Sequence, residues 1–225
     1  MSATVIMLAL FAAALHATWN AVLRIRTDRL WTVTMMSFAM TAVAIPFAVL
    51  LPVPPASAWP YLILSSCLQV GYSVFLVAAY RHGELGKVYP IVRGSVPLLV
   101  TLGGFVLAGQ RLAPLPIVGV LLVALGIMSL ALGKGRATTP SILLALATGL
   151  LIAGYTTIDA IGVRQAGSAG AYAAWICLIC GAILPATSVV LRGRLTLKAR
   201  SRETLNALAS GVASLIAYGS VCLGH

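Results

Sequence analysis

With 60% hydrophobic residues, 8% charged residues and a mean hydropathy of +1.03, this 225-residue chain is excluded from the water-soluble domains, which carry about 25% charged residues. Its net charge of +11 does not indicate nucleic-acid binding, because the Lys and Arg sit in short connections between apolar runs and not on a stripe with interleaved aromatics. The four cysteines, Cys67, Cys177, Cys180 and Cys222, all lie inside apolar runs and read as small hydrophobes, so no metal or redox cofactor is expected.

A transmembrane helix needs about 20 apolar residues at a rise of ~1.5 Å each. Eight runs qualify: 3–23, 30–52, 59–80, 88–109, 115–133, 140–163, 169–191 and 205–223. No Lys or Arg precedes the first run, and it continues past Ala12, Ala13 and Ala14 to Leu23, so it reads as a span and not as a signal peptide. Arg24–Arg29 follows span 1, and Pro52-Val53-Pro54-Pro55 stops span 2. Arg81–Lys87 separates spans 3 and 4, and Lys134-Gly135-Arg136 precedes span 6. The longest polar piece runs from Arg192 to Glu203. Trp31, Trp59 and Tyr61 lie near span ends, as interfacial anchors do. The expected fold is an all-α bundle of about eight transmembrane helices with short connections.

The fourth run carries the most unusual stretch, Tyr89-Pro90-Ile91-Val92-Arg93-Gly94-Ser95-Val96-Pro97. Arg93 is the only charge between Val88 and Gly109. An Arg inside a span costs roughly 2.5–3.5 kcal/mol on insertion scales, so such a residue faces a partner, a cavity or a substrate, or snorkels to the nearer interface. Pro90 and Pro97 each lack an N–H and are expected to bend the helix. Tyr89, Arg93 and Pro97 are spaced by four and share a face.

Other faces follow from the same spacing rule. His16, Trp19 and Asn20 share one on span 1. Gln69, Tyr72, Leu76 and Tyr80 share one on span 3. Tyr155 and Asp159 share one on span 6, with Arg164 just beyond. The candidate substrate-binding or coupling residues are therefore His16, Trp19, Asn20, Gln69, Tyr72, Tyr89, Arg93, Tyr155 and Asp159. Each has a plainer alternative, such as a helix–helix hydrogen bond for His16 or an interfacial pair with Arg164 for Asp159. Gly103-Gly104 and the pair Gly119 and Gly126 read as close helix packing.

The connections after spans 1, 3, 5 and 7 carry 3, 2, 2 and 5 Lys or Arg, against 0, 1 and 1 after spans 2, 4 and 6. Positive-inside logic puts the odd connections in the cytoplasm. An internal repeat accompanies this bias. His16–Val22 aligns with Tyr155–Ile161 at an offset of 139, matching Thr18 with Thr157 and Ala21 with Ala160. The offset also carries span 2 onto span 7 and span 3 onto span 8. A five-span unit is odd, so its second copy inserts upside down, and the charge bias inverts accordingly. The expected domains are a first repeat over 1–133 and a second over 140–225. The mate of Val88 falls at position 227, beyond His225, so the last two helices of a ten-span protein are expected to be missing.

Leu15-His16-Ala17-Thr18-Trp19-Asn20, the Tyr89–Pro97 stretch, Gly119 through Gly126, and Tyr155–Arg164 together resemble EamA-type members of the drug/metabolite transporter superfamily. The resemblance implies ten helices in two inverted repeats and movement of small metabolites across a bacterial inner membrane. On that basis the expected function is a secondary permease working by alternating access. A lipid flippase or a non-transporting membrane protein of the same fold is the alternative. Arg93 would attract an anionic group such as a carboxylate, and Asp159 or His16 would take part in proton coupling. The expected partners are the lipid bilayer, a small-molecule substrate and protons, with a homodimer left open and no nucleic acid. No His-Glu-x-x-His, Gly-x-Ser-x-Gly or paired-Asp signature is present, so no enzyme is expected. The charge bias makes one direct prediction. A fusion after Lys198 will fluoresce with green fluorescent protein and be inactive with a periplasmic phosphatase, and a fusion after Pro54 will show the opposite pattern.

Overall fold

The structure is a computed structural model, and it describes residues 7, 29–109, 113–133, 136–193, 204, 205, 207–209 and 211. Six long helices are seen there: α1 (Arg29–Leu50), α2 (Trp59–His82), α3 (Leu85–Ala108), α4 (Pro114–Ser129), α5 (Thr139–Ala166) and α6 (Ala169–Arg192). All six are long and apolar enough to cross a membrane. Their ends agree with spans 2–7 to within a few residues. The chain is a multi-pass helical membrane protein. Spans 1 and 8 lie largely outside the described residues.

The helix ends follow local chemistry. Pro60 and Pro114 stand in the first turns of α2 and α4, where a missing N–H has no helical acceptor to lose. Thr138 caps α5: Ser141 N donates to Thr138 Oγ1 at 3.3 Å, and Thr138 N donates to Ser141 Oγ at 3.0 Å. Ser168 caps α6 by accepting from Ala171 N. Gly109 and Gly193 close α3 and α6 in the left-handed conformation, at φ 61° and 71°, which glycine adopts without a Cβ clash.

Contacts divide the chain into two compact units, Met1–Ser57 with Ala166–His225, and Ala58–Gln165. In the first unit α1 packs antiparallel against α6. Thr41 Oγ1 donates to Cys177 O at 3.1 Å, Leu51 lies beside Gly170, and a Cβ on Gly181 would collide with the Thr41 side chain. Gly211, in the span 8 segment, lies against the backbone of Met36.

The second unit holds α2, α3, α4 and α5. Its core is formed by Ala79 of α2, Val88 and Val92 of α3, and Ala145 and Ile152 of α5. α3 and α5 run parallel, because Gly149 meets Ser95 and Gly103 meets Thr157, two pairs with the same difference in position. α2 runs antiparallel to α5, with Gly71 beside Leu151 and Leu68 beside Gly154. α4 docks on α3 where Gly94 abuts Met128 and the Ala124 carbonyl. Ala124 is the one buried residue of α4, and Leu115, Leu122 and Leu125 are exposed, as suits a lipid-facing helix. At one end of this unit two turns are tied together. Glu84 N donates to Arg136 O at 3.0 Å, Thr138 Oγ1 donates to His82 O at 2.8 Å, and Lys87 Nζ donates to Ala131 O.

The glycines divide into two groups. Gly103 packs as expected: a Cβ there would lie 2.8 Å from Thr157 Oγ1. The expectation for Gly119 and Gly126 is corrected. Among the described residues nothing lies within 4 Å of a Cβ at either position, because both sit on the outward side of α4. Their spacing of seven was compatible with packing, but the helix turns its other face to α3. It follows that Gly149→Ala, forced against Ser95, will destabilise the protein by about 1–3 kcal/mol. Gly119→Ala will be neutral or stabilising by up to about 1 kcal/mol through helix propensity. Unfolding of purified protein in mixed micelles measures both.

Candidate functional site

Polar side chains inside a span must find partners without water. Most of the Ser and Thr hydroxyls here find them on their own helix. Thr148 donates to Leu144 O, Thr156 to Ile152 O and Thr157 to Ala153 O at 2.7–2.9 Å. Ser95 donates to Val92 O and Thr101 to Pro97 O. Such back-bonds to the preceding turn satisfy the hydroxyl and bend helices slightly. These residues are thereby accounted for, and the candidate site reduces to the charged and aromatic groups of the second unit.

Tyr72 and Tyr155 come together, with ring centroids 5.6 Å apart and planes tilted by 38°. Tyr72, Leu76 and Tyr80 all pack against the core of the second unit, so the α2 face inferred from spacing is a single inward face. Gln69, at its other end, donates from Nε2 to Ser65 Oγ at 3.1 Å. Its backbone carbonyl accepts from Ser73 Oγ. On α5 the inward stripe runs through Ala145, Thr148, Ile152 and Tyr155, and the next position on it is Asp159. Asp159 is half-buried.

Arg93 is also half-buried, and its guanidinium carbon lies 5.5 Å from the centroid of the Tyr89 ring. That is a cation–π contact across one helical turn, worth about 0.5–2 kcal/mol according to desolvation. α3 continues unbroken through Pro90 and Pro97. The carbonyls of Gly86 and Arg93 lose their usual N–H donor there, because that donor would be a proline nitrogen.

Arg93 and Asp159 occupy different depths. Ser95 is level with Gly149 and Gly103 with Thr157. Asp159 is therefore level with position 105, about 18 Å along the axis from Arg93 at 1.5 Å per residue. A single small molecule does not reach both groups at once.

One feature escaped the sequence reading. The Tyr89, Arg93 and Pro97 face of α3 continues at helical spacing to Val100 and Gly104. These two residues, with Thr156, Thr157, Ala160, Ile161 and Arg164 of α5, line a crevice of about 90 Å³. The signal was available: Val100 is seven and Gly104 eleven residues beyond Arg93, which returns them to its side. What spacing does not show is that α5 lies alongside. His16, Trp19 and Asn20, the candidates on span 1, lie outside the described residues. Groups of His, Cys, Asp and Glu able to hold a metal are absent among the described residues.

No protein-family model, curated protein or solved structure matches the chain. A double-mutant cycle tests the aromatic contact. Tyr72→Ala and Tyr155→Ala are expected to show a coupling of about 0.5–1.5 kcal/mol in unfolding free energy, whereas Tyr72→Ala with Tyr61→Ala is expected to be additive.

Proposed function

We propose that this chain is a secondary transporter of small polar or amphipathic metabolites in a bacterial inner membrane, of the EamA type within the drug/metabolite transporter superfamily. In this reading spans 1 and 8 precede and follow the six helices in the chain, and spans 6–8 repeat spans 1–3 in inverted orientation.

The observation that carries the reading is the register of α1 against α6. The offset of 139 equates these two helices and carries Pro46 onto Pro185, each inside its helix. It also carries Thr41 onto Cys180, and Thr41 lies between Cys177 and Gly181 on α6. Each helix thus crosses its own mate, antiparallel, near the residues the offset makes equivalent. A two-fold axis in the membrane plane brings mates together in this way, and inverted-repeat transporters place their substrate site near such an axis.

Within that architecture Arg93 is the group for an anionic moiety. It sits inside a span on a face with Tyr89, and an intramembrane cation attracts negative charge strongly where water is scarce. Asp159 or His16 is the group for proton coupling. An apolar crevice ending at the exposed Arg164 favours a second reading, a lipid flippase of the same fold.

Flux into proteoliposomes tests the transporter. Arg93→Ala is expected to reduce uptake of a carboxylate-bearing substrate by about 10- to 100-fold, the loss of one charge-assisted contact, and Arg93→Lys is expected to retain part of it. Wild-type flux from Arg93→Ala would remove Arg93 from the mechanism. Scrambling of labelled phospholipid without soluble flux would move the assignment to the flippase.

A further inference from the structure

We propose that Pro46 and Pro185 are paired hinges on either side of a fixed crossing between α1 and α6. Each lets the C-terminal end of its own helix swing at one face of the membrane.

The crossing is the fixed element. Thr41 Oγ1 bonds the Cys177 carbonyl, and its side chain fills the space left by the missing Cβ of Gly181. A side chain seated against a glycine and hydrogen-bonded to a backbone carbonyl cannot slide along the partner helix without giving up both. Residues leading into the crossing are well packed: Met35, Met36 and Ala39 on α1, and Tyr172, Ala174 and Ile176 on α6, are all buried.

The prolines stand just past it. Pro46 is five residues beyond Thr41, and Pro185 is four residues beyond Gly181. Each removes the N–H that would bond the carbonyl four residues back, at Ala42 and at Gly181, and its ring crowds that carbonyl. A helix is weakest to bending at such a point. On α6 the Thr187 hydroxyl donates to Ile183 O at 2.8 Å, spanning the proline, and this type of back-bond also bends helices. Beyond each proline several side chains are exposed, although Ser188 stays buried on α6 and Leu51 reaches Gly170. Val49 and Leu50 are 80% and 82% exposed on α1, and Val190 is 83% exposed on α6.

Direction follows from antiparallel packing. The C-terminal end of α1 lies at the same membrane face as the start of α6, where Leu51 meets Gly170, and the C-terminal end of α6 lies at the same face as the start of α1. One hinge therefore serves each face, with the crossing between them as fulcrum. This deepens the transport reading, because it supplies separate movable elements for the two sides, but its test reads helix motion and not flux.

Spin labels read that motion in the full chain, with its four cysteines replaced by alanine, in lipid nanodiscs. Labels at Val49 and Ala173 report the end of α1 against the start of α6. Labels at Val33 and Val190 report the end of α6 against the start of α1. Both pairs are expected to show two distance populations. Pro46→Ala is expected to abolish the longer one for the first pair alone, and Pro185→Ala for the second pair alone. Labels at Met40 and Ala182, across the crossing, are expected to give one unchanged distance throughout. A single population at both ends before substitution, a substitution that affects both ends or neither, or a shift at Met40 and Ala182 would each overturn the proposal. Rigid ends with intact flux would remove the hinges and leave the transporter; mobile ends without flux would do the reverse.

Discussion

Helices in hydrocarbon do not associate by burying apolar surface, because lipid is as apolar as leucine; they associate where their backbones can come close. That constraint organises this molecule. Many of the helix contacts described above are made through a residue without a Cβ: Gly94 against α4, Gly103 and Gly149 along the α3–α5 seam, Gly71 and Gly154 between α2 and α5, and Gly170 and Gly181 between α1 and α6. The partners are small or flexible, namely Ser95, Thr157, Thr41, Met128 and leucine side chains. Where a glycine faces outward, as Gly119 and Gly126 do, it makes no seam.

The same scarcity of water sorts the polar residues. Hydroxyls that bond the preceding turn of their own helix leave little electrostatic signature, and they also let Ser and Thr stand in for Ala at tight seams. Ser95 and Thr157 do both: each bonds its own backbone and sits against a glycine of the neighbouring helix. Charges cannot be absorbed so cheaply. Arg93 rests on the face of Tyr89, and Asp159 closes the inward stripe of α5. Both are placed by helical phase on faces shared with other helices, at depths about 18 Å apart at 1.5 Å per residue. A route through the second unit would meet the positive group and the negative group at different levels.

Prolines add the complementary element. Glycine seams hold helices together at chosen points, and proline weakens a helix at chosen points. In α1 and α6 the two occur in sequence along each helix, a tight crossing and then a proline. Stiffness and compliance are thus separated by about one turn. In α3 the order is interleaved, since Pro90 and Pro97 flank the Gly94 contact with α4.

The amino-acid sequence alone determined the six helices of spans 2–7 and their ends to within a few residues, because hydrocarbon admits only segments that satisfy their own backbone, and apolar length is directly visible in composition. It also determined which side chains share a face, since helical phase depends on spacing alone; the Gln69–Tyr80 and Tyr89–Pro97 faces were legible for that reason. Only the tertiary structure decided which faces meet. That Tyr72 lies on Tyr155, that the Arg93 side of α3 runs on into a crevice against α5, and that Gly119 and Gly126 make no seam all depend on the rotation and depth of one helix relative to another. Those quantities are set by the interlocking of small residues on different helices, far apart in the chain, and a one-dimensional pattern of apolar residues does not encode them.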